Sequence, residues 1–379
     1  MDELRQWQKE AYEAFKKNDY KGIVKAATGT GKTILGITFI DDFREDSWKD
    51  KSGEKFLIVV PKEDLLIQWY DRIKNHLGIS AGRIGAGYNE ECDITIAIIN
   101  SVRLRKLQYP NLILDECHNY LSDVNRLLLE NNEFKRIMAL SATPDRNDLR
   151  TFEKFGLKII YEYSTEQAIE NKDLCEYVIL EEPVYLLENE NLLYEGYNKT
   201  VKDTFPAFGY NIHAVYAAQP SPLKYKLVRA IRKRMEILAK AKNKFEKVVE
   251  LIIQNPDSKV IVFAQYIYTI NLLKKMLYGR GVKSVVYHSK EKARVNELEK
   301  FKSNEARVIL SARGLDEGLD VPDCDTAIIM AGFKGERQIK QRLGRILRKK
   351  DKTAVIYLLY VADSRDEDWL NEMKKYISV

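Results

Sequence analysis

The chain has few cysteines, and their spacing argues against two common kinds of metal site. Four cysteines occur in 379 residues, at positions 92, 117, 175 and 324. They form neither a C-x-x-C pair nor a compact iron–sulfur ligand set, so the sequence predicts no zinc or cluster site of those types. We interpret the four as free thiols in a reducing compartment.

The sequence also lacks a long apolar run. No stretch approaches the ~18 consecutive apolar residues that a membrane helix needs. The first residues, Met1-Asp2-Glu3-Leu4-Arg5, are already charged, which argues against a secretory signal. We therefore expect a soluble intracellular protein (cytoplasmic, nuclear or nucleoid) with no membrane partner.

A large charge excess is missing as well. The 62 basic and 56 acidic residues leave a net charge of +6, which permits a polyanionic partner without requiring one. Hydrophobic residues make up 45% of the chain, enough for ordinary globular cores. At about 150 residues per domain, 379 residues predict two or three domains.

A glycine-rich stretch, Ala27-Thr28-Gly29-Thr30-Gly31-Lys32-Thr33, has the features of a phosphate-binding loop. The strict pattern expects glycine where Ala26 stands, but the two glycines still let the backbone N–H groups of residues 30–33 converge on an oxyanion. Lys32 supplies a cation for the β- and γ-phosphates, and Thr33 supplies a hydroxyl for Mg²⁺. A plain glycine turn before a helix is the alternative.

Apolar runs alternate with helical patterns in both halves of the chain, which predicts α/β architecture with parallel sheets. Polar clusters follow the strands, so a site is expected along one sheet edge. The predicted strands are 56–60, 94–99, 112–114 and 137–140 in the first half, and 259–264, 284–287, 307–310, 326–330 and 354–359 in the second, with short strands at 161–163 and 177–180 between them. A short apolar run at 22–24 precedes the glycine-rich stretch. We expect domains at 1–148 and 245–379, joined by a linker and small, mainly helical insertion at 149–244.

Two carboxylates and two arginines complete the chemistry that phosphoryl transfer needs. Asp115 and Glu116 end an apolar strand, where Asp115 can hold Mg²⁺ and Glu116 can orient the attacking water. Arg345 and Arg348 share one helical face with Gln341, so both guanidiniums can meet charge that develops on the γ-phosphate. Taken alone, that helix is also consistent with a basic face that binds an acidic surface.

Two further helical faces leave alternatives open. Arg5 and Gln8 are three residues apart in a predicted helix over 3–18, where they can recognise an adenine base or form a solvated polar face. A basic helix over 223–242 can contact a phosphate backbone or be solvated.

These motifs together resemble those of superfamily 2 helicases and translocases, in order and over nearly the whole chain. Residues 4–8 resemble the Q motif, 27–33 motif I, 115–118 (DECH) motif II, 141–144 motif III, 317–322 motif V and 338–348 motif VI. The chain is most similar to the XPB-type branch, through its LRxxQ start, the stretch 156–169 and the QRxGRxxR sequence. The resemblance implies two RecA-like parallel-sheet domains in tandem.

The resemblance also implies a role for each matching residue. The ATP-binding group comprises Arg5, Gln8, Thr28, Gly29, Thr30, Gly31, Lys32, Thr33, Gly318 and Asp320, with catalysis by Lys32, Asp115, Glu116, Gln341, Arg345 and Arg348. His118, Ser141 and Thr143 would couple hydrolysis to movement, and Thr33 and Asp115 would bind Mg²⁺. Residues along the nucleic-acid track would be Pro61, Lys62, Asn100, Ser101, Ser289, Ser311 and Arg313.

The sequence therefore predicts an ATP- and Mg²⁺-dependent DNA helicase or double-stranded DNA translocase. Its partner would be single-stranded, duplex or forked DNA, with a protein such as a nuclease or repair subunit as a further partner. Two alternatives remain: an RNA-dependent ATPase of the DExH kind, and a clamp that binds ATP and nucleic acid without turnover.

Overall fold

The computed structural model describes residues 3–48, 54–144, 146–288, 294–312, 324–331 and 352–377. Within these ranges the chain forms two compact units, with a boundary between Glu176 and Tyr177. Each unit contains one sheet and its own helices. Among the described helices, none is both long enough and apolar enough to cross a membrane.

The first unit contains an eight-stranded sheet, parallel except for its antiparallel β3–β4 hairpin. The strands are β1 (Lys21–Ala26), β2 (Phe56–Val60), β3 (Gly82–Gly85), β4 (Tyr88–Asn89), β5 (Ile94–Ile98), β6 (Asn111–Asp115), β7 (Arg136–Ser141) and β8 (Ile159–Tyr163), in the order β4-β3-β5-β2-β6-β7-β1-β8. The helices are α1 (Gln6–Lys17), α2 (Lys32–Trp48), α3 (Glu63–Leu77), α4 (Ile99–Val102), α5 (Leu127–Glu130), α6 (Arg146–Glu153) and α7 (Thr165–Glu170), with a 3₁₀ turn at Cys117–Tyr120.

The central strands of this sheet form the core and set the position of the site. Strands β2 and β6 are buried along their whole length, as expected for parallel strands covered on both faces. Strands β6, β7 and β1 are neighbours and run parallel. Their carboxyl ends, at Asp115, Ser141 and Ala26, therefore meet at one edge of the sheet.

The second unit contains a six-stranded parallel sheet. Its strands are β9 (Tyr177–Val184), β10 (Val260–Ala264), β11 (Ser284–Tyr287), β12 (Val308–Ala312), β13 (Thr326–Met330) and β14 (Ala354–Val361), in the order β11-β12-β10-β13-β14-β9. Its described helices are α8 (Glu188–Thr204), α9 (Ile212–Ala217), α10 (Pro222–Lys240), α11 (Lys242–Gln254), α12 (Ile267–Tyr278), α13 (Arg294–Lys302) and α14 (Arg365–Ile377), with a 3₁₀ turn at Phe205–Phe208. The predicted α/β architecture with a parallel sheet in each half is confirmed.

The segment 149–244, predicted as one linker with an insertion, is divided between the two units. Strand β8 pairs with β1 at the edge of the first sheet, whereas β9 pairs with β14 at the edge of the second. Both strands are partly exposed, so neither gives the continuous apolar run of a central strand. The part of the segment that belongs to the second unit contains α8, α9 and α10, which enclose a small core of their own around Val201, Val215 and Leu227.

Candidate active site

The loop between β1 and α2 forms a backbone cradle suited to a phosphate group. Gly29 and Gly31 have φ of 89° and 96°, a region that glycine adopts without strain. A Cβ at position 31 would lie 3.0 Å from Nε2 of Gln8, a tight contact that would require Gln8 to shift by a few tenths of an ångström. Helix α2 begins at Lys32, so the N–H groups of its first turn lie at the positive end of the helix dipole, which favours an anion.

Lys32, a threonine of the loop and a threonine of α2 offer donors for a triphosphate. The Lys32 side chain is buried, and its Nζ donates to the carbonyls of Ala26 (2.9 Å) and Ala27 (3.2 Å), so the ammonium lies against its own loop. The Thr28 hydroxyl is buried and has no hydrogen-bond partner among the described residues. Thr33 is half-buried at the second position of α2. This donor set fits a nucleotide phosphate with its divalent metal.

Gln8 ties the first helix to the phosphate loop. Its Oε1 accepts from the backbone N–H of Arg5 (2.9 Å), and its Nε2 donates to the carbonyl of Gly31 (3.1 Å). Arg5 reaches the same loop, because Nη1 donates to the carbonyl of Thr30 (3.2 Å). The structure thus brings both predicted adenine-binding residues to the loop, while their contact with the base stays a prediction.

Three residues that the sequence analysis did not single out hold Arg5 in place. Asp173 forms an ion pair with Arg5 (3.3 Å) and accepts a hydrogen bond from the Tyr163 hydroxyl (2.8 Å). The Tyr163 ring stacks on Trp7, with centroids 4.9 Å apart and planes 9° apart. Burial raises the pKa of Tyr163 to about 12, so the phenol remains a donor at neutral pH. The sequence gives no signal for this set, because Asp173 and Tyr163 lie more than 150 positions from Arg5.

Asp115 is the last residue of β6, and two donors fix its carboxylate. Oδ2 accepts from the indole Nε1 of Trp69 (2.7 Å), and Oδ1 accepts from the backbone N–H of Glu116 (3.0 Å). Burial raises the pKa of Asp115, while the Trp69 hydrogen bond and the charge of Lys32 act in the opposite direction. Glu116 follows with φ 51° and ψ 55°, a left-handed conformation that is uncommon for a residue with a side chain. Such backbone strain clusters at functional sites.

His118 connects motif II to the end of β7. The amide nitrogen of Asn119 can only donate, so His118 Nε2 accepts this bond (3.2 Å), and Nδ1 carries the ring proton. Nδ1 then donates to Oγ of Ser141 (3.0 Å). The same Oγ accepts from the backbone N–H of Thr143 (3.2 Å). The three predicted coupling residues therefore form one hydrogen-bonded group.

The predicted nucleic-acid track is only partly within the described residues. Pro61 and Lys62 follow β2, and Asn100 and Ser101 lie in α4 directly after β5, so these four share the sheet edge of the phosphate loop. Lys62 and Asn100 are exposed. Ser311 is buried in β12, and its hydroxyl has no hydrogen-bond partner among the described residues. Its contact with a phosphate stays a prediction.

Seven predicted site residues lie outside the described residues. They are Ser289, Arg313, Gly318, Asp320, Gln341, Arg345 and Arg348. Their assigned roles stay predictions that rest on the sequence motifs.

Each half of the chain matches the model of a known protein family. Residues 1–146 match the family model described as type III restriction enzyme, res subunit, and residues 243–350 match the helicase conserved C-terminal domain. The chain is 31% identical to the DNA 3'-5' translocase XPB2 of Sulfurisphaera tokodaii, over 96% of this chain and 83% of that protein. It is 23% identical to a putative ATP-dependent helicase, IRC3, of Saccharomyces cerevisiae, of which it spans 49%.

A solved structure extends the comparison to the fold. The helicase domain of Hef from Pyrococcus furiosus matches with a TM-score of 0.64 at 16% identity, over 97% of this chain and 98% of that one. At this identity the likeness establishes the fold alone. It confirms the prediction of two RecA-like domains in tandem.

Proposed function

Since the chain belongs to the XPB-type branch of the superfamily 2 helicases, we propose that it is an ATP-dependent DNA helicase or double-stranded DNA translocase. One observation supports this proposal most strongly. The phosphate loop, the Asp115–Glu116 pair and the His118–Ser141 pair occupy the carboxyl ends of three neighbouring strands, β1, β6 and β7. A nucleotide site and its coupling residues thus share one sheet edge. The similarity to XPB2, a DNA 3'-5' translocase, supports DNA as the polymer.

The residues of the first unit divide the work on ATP between binding and hydrolysis. The N–H groups of the loop and the Lys32 ammonium hold the phosphates, and Gln8 keeps the loop in shape through its bond to Gly31. Thr33 and Asp115 would hold Mg²⁺, which when bound offsets the negative charge of the phosphates. Glu116 accepts a proton from the attacking water and orients it toward the γ-phosphate.

Motion along nucleic acid requires that ATP hydrolysis change the structure outside the nucleotide site. His118 lies two residues after Glu116 and holds Ser141, which in turn accepts from the backbone of Thr143. A shift of the DECH turn therefore reaches the segment after β7 through hydrogen bonds of ordinary length. We assign this group the coupling role, with Gln341 as its further member.

The remaining assignments follow from the motifs. Arg345 and Arg348 would supply positive charge to the transition state, and Gly318 and Asp320 would sense the nucleotide. The residues of the nucleic-acid track would contact phosphates, which positions a strand without reading its sequence. A nuclease or repair subunit is the kind of protein partner we propose.

ATP hydrolysis with different polymers tests the proposal. Steady-state turnover is measured without nucleic acid, and then with single-stranded, duplex and forked DNA and with RNA. We expect strong stimulation by DNA, lost in Glu116→Gln but retained in Glu246→Gln, a matched change at an exposed position of α11.

Other outcomes would contradict the proposal in distinct ways. Stimulation by RNA alone would make the protein an RNA-dependent ATPase. Binding of ATP without turnover on any polymer would indicate a clamp. Among the active outcomes, the preferred form of DNA distinguishes strand separation at a fork from movement along duplex.

A further inference from the structure

The indole of Trp69 makes a hydrogen bond that its role in the core does not require. Trp69 lies in α3 with none of its surface exposed. Its Nε1 donates to Oδ2 of Asp115 at 2.7 Å, a short distance for a nitrogen donor and typical of a bond to a charged acceptor. Since the other oxygen, Oδ1, accepts from the N–H of Glu116, the carboxylate cannot rotate without breaking a bond.

The helix that follows the phosphate loop leaves room for this ring. Gly36 of α2 faces it so closely that a Cβ there would lie 2.6 Å from Cη2 and 3.3 Å from Cζ3 of Trp69. Contacts under 3 Å require that something shift, and a fully buried ring has little space to do so. A glycine inside a helix lowers the stability of that helix. At position 36 the absence of a side chain leaves space for the indole.

Two other buried tryptophans show that burial alone does not produce such a bond. Trp7 and Trp369 are also buried, yet their Nε1 atoms have no hydrogen-bond partner among the described residues. The Trp69 N–H, by contrast, is directed at the acid that ends β6.

We propose that Trp69 is a positioning residue for metal binding, in that its N–H fixes the direction in which the Asp115 carboxylate presents its free lone pairs. The proposal rests on the proposed function, in which Asp115 holds the divalent ion of the nucleotide. Groups that orient a metal-binding side chain typically contribute about 10- to 100-fold to metal affinity. Trp69, whose ring is fully enclosed by protein, is thus the residue through which α3 supports the chemistry.

Metal binding measured apart from turnover tests this role. Trp69→Phe keeps an aromatic ring in the core and removes the N–H donor. Mn²⁺ serves as the probe, and its binding to the ADP complex is measured by electron paramagnetic resonance. We expect Mn²⁺ affinity to fall by about 10-fold or more, while the affinity for a fluorescent ADP analogue in EDTA stays within about 2-fold of wild type. Circular dichroism checks that the variant is folded.

A second variant reaches the same bond without changing Trp69. Gly36→Ala displaces the ring from the α2 side, so it should weaken Mn²⁺ binding by a similar factor. In the Trp69→Phe background the smaller ring leaves space for the methyl group, and Gly36→Ala should then add little. Trp369→Phe is the matched control, since it alters a buried tryptophan of the second unit and should leave Mn²⁺ binding unchanged.

Two results would overturn the proposal. Mn²⁺ affinities equal to wild type in folded Trp69→Phe would show that the N–H does not orient Asp115. An equal loss of metal-free ADP affinity would show that the ring supports the loop in general rather than the metal-binding carboxylate. If the wild-type protein itself fails to bind Mn²⁺ with ADP, the proposed function fails instead.

Discussion

Replacing Gln8 by glutamate should separate the shape of the phosphate loop from its charge. The Gln8 side chain is 3% exposed and uses one end of its amide for Arg5 N and the other for Gly31 O. Gln8→Glu preserves an acceptor for Arg5 N. It places a carboxylate oxygen, rather than an N–H, 3.1 Å from the Gly31 carbonyl. Two acceptors then face each other beside the loop, and a negative charge approaches the place of the phosphates.

The size of the effect follows from the bond that is lost. A neutral hydrogen bond contributes about 0.5–1.5 kcal/mol net, and a buried polar group left unsatisfied costs about 1–3 kcal/mol. We assign the whole of this cost, about 1.4–3 kcal/mol, to the free energy of nucleotide binding. It corresponds to about a 10- to 150-fold weaker affinity for nucleotide. Gln8→Met removes both bonds without adding charge, and the Gly31 carbonyl keeps its bond from the Ile34 N–H. At about 0.5 kcal/mol for each bond, the lower end of the range, the loss of about 1 kcal/mol should weaken binding by about 5-fold.

Titration with a fluorescent ADP analogue measures these affinities, and thermal unfolding reports whether the fold survives. Gln219→Glu, the same change at an exposed position of the second unit, is the control and should bind as wild type does. If Gln8→Glu and Gln8→Met both retained wild-type affinity while folded, the Gln8–Gly31 bond would have no role in shaping the loop. Equal losses in both variants would assign the whole effect to hydrogen bonding and none to charge.

Three further predictions concern reactivity, coupling and the basic helix. Cys92 is the exposed one of the four cysteines, so a thiol reagent at pH 8 should modify it in the folded protein and the other three only in denaturant. Burial raises the pKa of Cys117 well above its ordinary value, which slows its reaction further. Modification of Cys117 in the native state would contradict this burial. Ser141→Ala removes the acceptor for His118 and Thr143. Stimulation of ATP hydrolysis by DNA should therefore fall by about 5- to 10-fold, with less change in basal turnover. An equal fall in both rates would argue against a coupling role. Arg229 and Arg232 are exposed on α10. If this face binds phosphates, each change to Gln should reduce the slope of log DNA affinity against log salt concentration by about 1. A solvated face would leave the slope unchanged.

The sequence predicted the central strands because parallel strands buried on both faces read as continuous apolar runs. The runs at 56–60 and 112–114 correspond to β2 and β6, and the acids after the second run lie at the predicted sheet edge. Helix α8 lies within the mainly helical insertion predicted at 149–244, but its own bounds were not predicted. Its apolar residues Tyr194, Tyr197 and Val201 do recur at helical spacing, so a periodicity count would have found it.

Contacts between distant residues were beyond the reach of sequence reasoning. Trp69 in a helix predicts a core residue, and nothing in the 46 positions that separate it from Asp115 indicates the hydrogen bond. The same holds for Asp173, whose ion pair with Arg5 depends on β8 joining the first sheet. Local patterns specify which elements form, whereas these side-chain pairs follow from how the elements pack.

The charged groups of the site illustrate why such pairs matter for function. Lys32 and Asp115 are 8% and 5% exposed, and burying an ionised group is strongly unfavourable unless polar partners compensate. The protein supplies these partners itself, with the Ala26 and Ala27 carbonyls for Lys32 and the Trp69 and Glu116 N–H groups for Asp115. Groups fixed in advance need little reorganisation when charge develops during a reaction. A single lost partner should therefore impair metal or phosphate binding before it unfolds the domain, because the hydrophobic strands around the site remain intact.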